Sequence, residues 1–308
     1  MIIKENRFAI LTNELIIDIT DIIGHSEYAA TLYCLEISSN HLIQIDIGDS
    51  KYILKIYCNK KYFEKELYFM YFFLKHKCKV PKLIKYSSTD SSIFWILYEH
   101  VEGISLIQIK KQLSTKELKP VWKQVGKELK KIHSISVFNQ VETENNKMGF
   151  VRKVTSSIAN FNNYLCEKES SEFLAEAILF LRSNISRINK SIYGIVLYDL
   201  NDKHIIVRQR KEKWAFNAFI DFEQTRFGCL YVDIAGLYIS ILLENKELED
   251  CFWTGYDPEH LIFDDHCINF FLIYFGEEFC TVLREVNVDH YQWGLFIIEK
   301  TLDRIHVL

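Results

Sequence analysis

Between residues 28 and 98 apolar and polar positions follow the short period of β-structure. Tyr28 to Ile37, His41 to Ile47 and Lys51 to Tyr57 are rich in β-branched and aromatic residues and predict three strands. The period then lengthens. Phe63, Leu67, Met70, Tyr71 and Leu74 recur at helical spacing, predicting a helix from Lys60 to Lys77 with Asn59 as its cap. Val80-Pro81 ends that unit, and Leu83 to Tyr86 and Ile93 to Tyr98 predict two further strands. Val101-Glu102-Gly103 breaks the chain, after which the pattern is mainly helical. Ser114 and Glu117 have capping-box spacing for a helix to His133. A second amphipathic stretch runs from Ser171 to Asn189, and helical patterns return from Tyr231 onward. The polar segment Asn139 to Lys147 predicts a long loop. The expected class is α+β with two lobes: a β-rich lobe over residues 1–98, a connection at 99–103, and a mainly helical lobe over 104–308.

One β-patterned island interrupts the helical half. Ile195-Val196-Leu197 and Ala218-Phe219-Ile220 are apolar runs, closely followed by Asp199 and Asp221 respectively. Ile205 to Val207 and Trp214 to Ile220 predict a hairpin between these carboxylates, with the charged turn Arg208 to Lys213. A hairpin flanked in this way is able to bring both carboxylates to one cleft. Phosphoryl transfer needs that pair, one Asp to orient the attacking hydroxyl and one to hold Mg²⁺ on a nucleotide. Either Asp alone is an ordinary loop residue; the order and spacing together favour the chemistry.

Asp199-Leu200 and Ile220-Asp221-Phe222-Glu223, followed by Asp233-Ile234-Ala235, resemble motifs of the aminoglycoside phosphotransferase and choline kinase branch of the protein-kinase-like fold. The resemblance covers roughly residues 28 to 240. It implies a two-lobed fold with ATP or GTP and Mg²⁺ as cofactors, and a hydroxyl-bearing small molecule as acceptor. It also implies roles. Asp199 is the catalytic base, Asp221 a metal ligand, and Lys55 the lysine that binds phosphates. By position alone Lys55 is a surface lysine on an alternating strand. Glu66 matches the helix glutamate that pairs with it, and Glu64 is the rival. Ile96 to Gly103 resembles the hinge, where the Glu99 carbonyl and the Val101 amide meet the adenine edge and Tyr98 stands at the gate. His133 and Asp233 have supporting roles, with a helix N-cap as the alternative for Asp233. Arg226 is expected beside a carboxylate, without a catalytic role.

The chain also departs from the pattern. Leu197 and Tyr198 replace the His and Gly that precede the catalytic Asp, and His204 replaces a metal-binding Asn. His204 stays a metal candidate, although Mg²⁺ prefers oxygen and Asn201 or Asp202 offers it. Gly24-His25-Ser26-Glu27 holds a single glycine where a phosphate loop is expected. A nucleotide-binding pseudokinase, or a kinase of a peptide or lipid-linked sugar, is therefore the alternative reading.

Composition bounds the rest. In 308 residues the net charge is −4, which gives no basic footprint for nucleic acid. The eight cysteines show neither CxxC nor zinc spacing and read as reduced thiols of a cytoplasmic protein. No secretory leader is visible, and the longest apolar stretch, Ile234 to Leu243, is too short to span a bilayer. Glu244 to Asp265 is acidic and contains Trp253 and Tyr256. Such a run is usually a solvated face, but in the resembling family this region builds the acceptor pocket, where it suits a cationic amino sugar.

Overall fold

A computed structural model describes residues 2–3, 31–37, 40–136, 140–168, 172–188, 191–259, 263–282 and 288–307. The expected phosphate loop at Gly24 to Glu27 lies outside them. The fold is α+β, and the chain divides into two compact units. One comprises Met1–Gly103 with Asn217–Gln224; the other comprises Ile104–Phe216 with Thr225–Leu308.

The first unit is built on a six-stranded sheet. Its strands are β1 (Ile2–Ile3), β2 (Thr31–Ile37), β3 (Asn40–Ile47), β4 (Ser50–Tyr57), β5 (Leu83–Tyr86) and β6 (Phe94–Glu99), in the order β1-β2-β3-β4-β6-β5. Only the β1–β2 pair is parallel. Side chains alternate between the faces of a strand. Leu54 and Ile56 of β4 therefore join Ile43, Ile45, Ile47, Trp95 and Leu97 in one apolar cluster. Lys55 and Tyr57, one step out of phase, face the other side. That side is served by helix α1 (Lys60–Lys75), capped by the Asn59 side chain. Its buried residues are Phe63, Glu66, Phe69, Met70 and Phe73, whereas Tyr71, expected on the buried stripe, is half exposed. The stripe is rotated because Glu66 and two further phenylalanines turn inward.

The second unit is mostly helical. It holds strand β7 (Ile104–Ser105) and helices α2 (Leu106–Ile109), α3 (Thr115–His133), α4 (Gln140–Lys168) and α5 (Glu172–Ile188). Strands β8 (Tyr193–Val196), β9 (Ile205–Arg210), β10 (Lys213–Phe219, whose last three residues belong to the first unit) and β11 (Arg226–Cys229) follow. Helices α6 (Tyr231–Ser240), α7 (Lys246–Tyr256), α8 (Asp265–Thr281) and α9 (Val288–Val307) complete it. Ser114 and Glu117 form the expected capping box on α3. The expected loop at 139–147 is instead, from Gln140, the start of α4, a correction to the sequence reading. The β9–β10 hairpin turns at Lys211 and Glu212, both at positive φ. A two-residue turn of that kind matches strand twist, so its strands run further than the apolar residues alone predict. Cys58, Cys78, Cys229, Cys251, Cys267 and Cys280 are not joined in disulfides. No helix among the described residues is long and apolar enough to cross a membrane.

Candidate active site

In the first unit the chemistry gathers around one buried amine. Lys55 is 3 % exposed, so it is no surface lysine. Its Nζ lies 2.8 Å from Glu66, 2.7 Å from Asp221 and 2.9 Å from Glu223. An ammonium has three N–H donors; two go to Glu66 and Asp221, and Glu223 is a third ion-pair partner. Burial lowers the pKa of this lysine, but the charges of Glu66, Asp221 and Glu223 outweigh it and hold the pKa above its ordinary value. Glu64, the rival partner, is exposed and pairs with Lys60.

Asp221 arrives from the end of β10. Its backbone sits at φ 66°, a left-handed conformation that Asp tolerates better than most residues. Phe222 then inserts against Phe73 of α1, and its N–H meets Glu66 at 3.4 Å. Carboxylate oxygens of Glu66, Asp221 and Glu223 lie within 4.8 Å of one another, a set of hard donors suited to a divalent cation. Glu223, which also accepts from the Asn40 amide of β3, belongs to the Ile220–Glu223 motif, which by itself predicts no role for it. Asn40 carried no sequence signal. At the end of β6 the Glu99 N–H donates to Lys82 O and its side chain pairs with Lys82 in solvent. The Val101 amide has no hydrogen-bond partner among the described residues.

In the second unit a loop after β8 carries exposed Asp199. Asp233, fully buried in the first turn of α6, accepts Leu197 N at Oδ2 and Tyr198 N at Oδ1, each at 2.8 Å. It is thus a loop brace and does not cap its own helix. His133 Nε2 lies 3.0 Å from Asp233 Oδ2, and Tyr256 Oη lies 2.6 Å from His133 Nδ1. The consistent tautomer has Nε2–H donating to Asp233 and Nδ1 accepting from the phenol. Tyr256, His133 and Asp233 therefore form one hydrogen-bonded chain that ends on the Leu197 and Tyr198 amides of the loop.

Beyond the loop, Asn201 Nδ2 donates to Asp199 Oδ1 at 3.0 Å, and His204 Nδ1 donates to the Asp199 carbonyl at 2.7 Å. Asp202 is buried against Lys110, which commits its carboxylate. Arg226 stacks on the ring of Tyr198 at 3.1 Å and takes no carboxylate partner among the described residues. Trp253 and Tyr256 are buried, the first donating to Tyr238 Oη and the second bonded to His133, and Trp253 also lines a cavity together with Lys246, Glu249, Asp265 and Arg304.

Residues 37–251 match the model of the phosphotransferase enzyme family. No curated protein is significantly similar in sequence. Among solved structures, the GDP complex of an aminoglycoside 2'-phosphotransferase-IIIa is similar with a TM-score of 0.69 at 11% identity, over 95% of this chain and 100% of that one. A streptomycin–ATP–APH(2")-IIa ternary complex gives 0.62 at 17% identity, over 94% and 96%. An ethanolamine kinase from Plasmodium vivax gives 0.58 at 17% identity, over 96% and 84%. Likeness at such low identity establishes the fold.

Proposed function

The chain belongs to the phosphotransferase enzyme family, and on that premise we propose that it transfers the terminal phosphoryl group of ATP, or GTP, to a hydroxyl of a small molecule. The observation that carries this reading is the buried Lys55 shared by Glu66, Asp221 and Glu223. Lys55, held by Glu66, contacts the α/β phosphates. Asp221 and Glu223 hold Mg²⁺, which when bound neutralises charge on the phosphates. The Glu99 carbonyl and the Val101 N–H meet the purine edge. Asp199, oriented by Asn201 and by a loop fixed on Asp233, takes the proton of the acceptor hydroxyl. His204 braces that loop through the Asp199 carbonyl and is a weaker metal candidate than the carboxylates.

For the acceptor, amino sugars come first, because aminoglycoside phosphotransferases are among the structural neighbours. Amino alcohols come second, by likeness to the ethanolamine kinase. We place the protein in the cytoplasm, where its reduced thiols persist.

The test is Asp199→Asn, with phosphate transfer read across amino sugars, amino alcohols and nucleosides and with ATP hydrolysis as a proxy. Affinity for Mg·ATP should stay near wild type while transfer falls at least ~100-fold, the usual worth of a general base. Equal turnover in the two proteins removes Asp199 from the mechanism. Equal ATP binding with no turnover in either favours the pseudokinase reading.

A further inference from the structure

Four donors converge on one buried carboxylate. Glu66 is 2 % exposed. Its Oε2 accepts from Lys55 Nζ at 2.8 Å and from Tyr57 Oη at 2.6 Å. Its Oε1 accepts from Tyr98 Oη at 2.9 Å and from Phe222 N at 3.4 Å. A carboxylate offers about four lone-pair sites, so Glu66 is saturated. Asp221 and Glu223 share Lys55 with it on different terms. The Asp221 side chain is 33% exposed, and the Glu223 carboxylate has the Asn40 amide as its other partner.

We propose that Tyr57 and Tyr98 are positioning residues: their hydroxyls hold Glu66 as the fixed partner of Lys55, so that arriving phosphates displace Asp221 and Glu223 from the lysine and leave Glu66 in place. This rests on the phosphotransferase reading given above.

Local structure puts both phenols there. Tyr57 follows Lys55 by two residues on the same face of β4 and therefore reaches the same helix residue. Tyr98, paired across the sheet with Ile53, immediately precedes Glu99. Its hydroxyl reaches the carboxylate that sets the phosphate lysine, while the backbone of its strand is held by the sheet. Burial, reinforced by the charge of Glu66, raises the pKa of both phenols well above the ordinary value. Both therefore remain donors throughout the working pH range. Phenylalanine at either position keeps the ring, including the edge contact of Tyr57 with Phe63, and removes the hydroxyl, both its bond to Glu66 and its 3.0 Å contact with the other phenol oxygen. A buried carboxylate oxygen then loses a partner.

The test compares Tyr57→Phe, Tyr98→Phe and the double variant with wild type for binding of Mg·ATP and of adenosine, which lacks phosphates. The double variant should bind Mg·ATP about tenfold more weakly, as expected for lost hydrogen bonds to a charged group. Its adenosine affinity should be unchanged. In steady state its KM for ATP should rise while KM for the acceptor stays constant. In a Glu66→Gln background the same changes should have little further effect on Mg·ATP affinity. Wild-type Mg·ATP affinity in the double variant overturns the inference. So does an equal loss for adenosine and Mg·ATP, which would mark a general disturbance of the unit. Wild-type protein that binds neither ligand removes the nucleotide reading, and this inference with it.

Discussion

Tyr198 stands beside Asp199 with its backbone at φ 71°, where any residue with a Cβ is strained and glycine is not. The resembling family places Gly at this position, and the conformation explains that choice. The chain tolerates Tyr because the ring is held: Arg226 stacks on it at 3.1 Å and Lys153 reaches its hydroxyl at 3.4 Å. Left-handed strain costs about 1–2 kcal/mol, while the cation–π contact and half-buried ring return a similar amount. Two substitutions separate these terms. Tyr198→Ala loses the ring and keeps the strain, so denaturant unfolding should show a loss of ~2 kcal/mol. Tyr198→Gly loses the ring but relieves the strain, so it should be the more stable of the two by about 1 kcal/mol. If Ala proves at least as stable as Gly, the backbone here is not strained.

Helix–helix contact tests the same glycine logic at the scale of elements. A Cβ at Gly126 of α3 would lie 2.3 Å from Phe252 O, and one at Gly255 of α7 would lie 2.0 Å from Lys123 O. The two helices approach backbone to backbone only because both positions lack a side chain. Gly126→Ala or Gly255→Ala should therefore lower stability by ~2 kcal/mol, since forced repacking outweighs the gain in helix propensity. Gly149 of α4 meets nothing within 4 Å, and Gly149→Ala should stabilise by about 0.5–1 kcal/mol. Equal melting temperatures for the three variants would contradict this packing. Sequence legibility divides along the same line. Helix α3 was readable because its capping box and apolar stripe are local signals. The start of α4 was not, because its first residues are polar and its buried anchors, Val154, Ile158 and Phe161, lie further along. At the site, Lys55, Glu66 and Asp221 were legible from motif and period, as Tyr57 would have been from its two-residue step. Asn40 meets Glu223 across 183 positions of sequence, a contact that only tertiary folding creates.

For the molecule as a whole, the pH dependence of stability follows from which charges folding favours. The raised pKa of Lys55 adds stability that is complete below the unfolded value of 10.5 and declines only above it, so it is silent between pH 5 and 9. Glu277 behaves differently. Burial, with the charge of Glu278 adding to it, pushes its carboxyl up to about 8, although hydrogen bonds from Ser157 and Thr281 oppose the shift. Above the unfolded value of 4.5 the unfolded chain has released this proton while the folded chain keeps it. The folded state then binds more protons, so stability falls as pH rises from 4.5 and levels off once pH passes about 8. Glutamine keeps an acceptor for the Ser157 hydroxyl, which joins α8 to α4, and has no proton to lose. Glu277→Gln should therefore melt close to wild type at pH 5 and about 5 °C higher at pH 9. Parallel melting curves for the two proteins across this range would show that Glu277 ionises in the fold as it does in the unfolded chain.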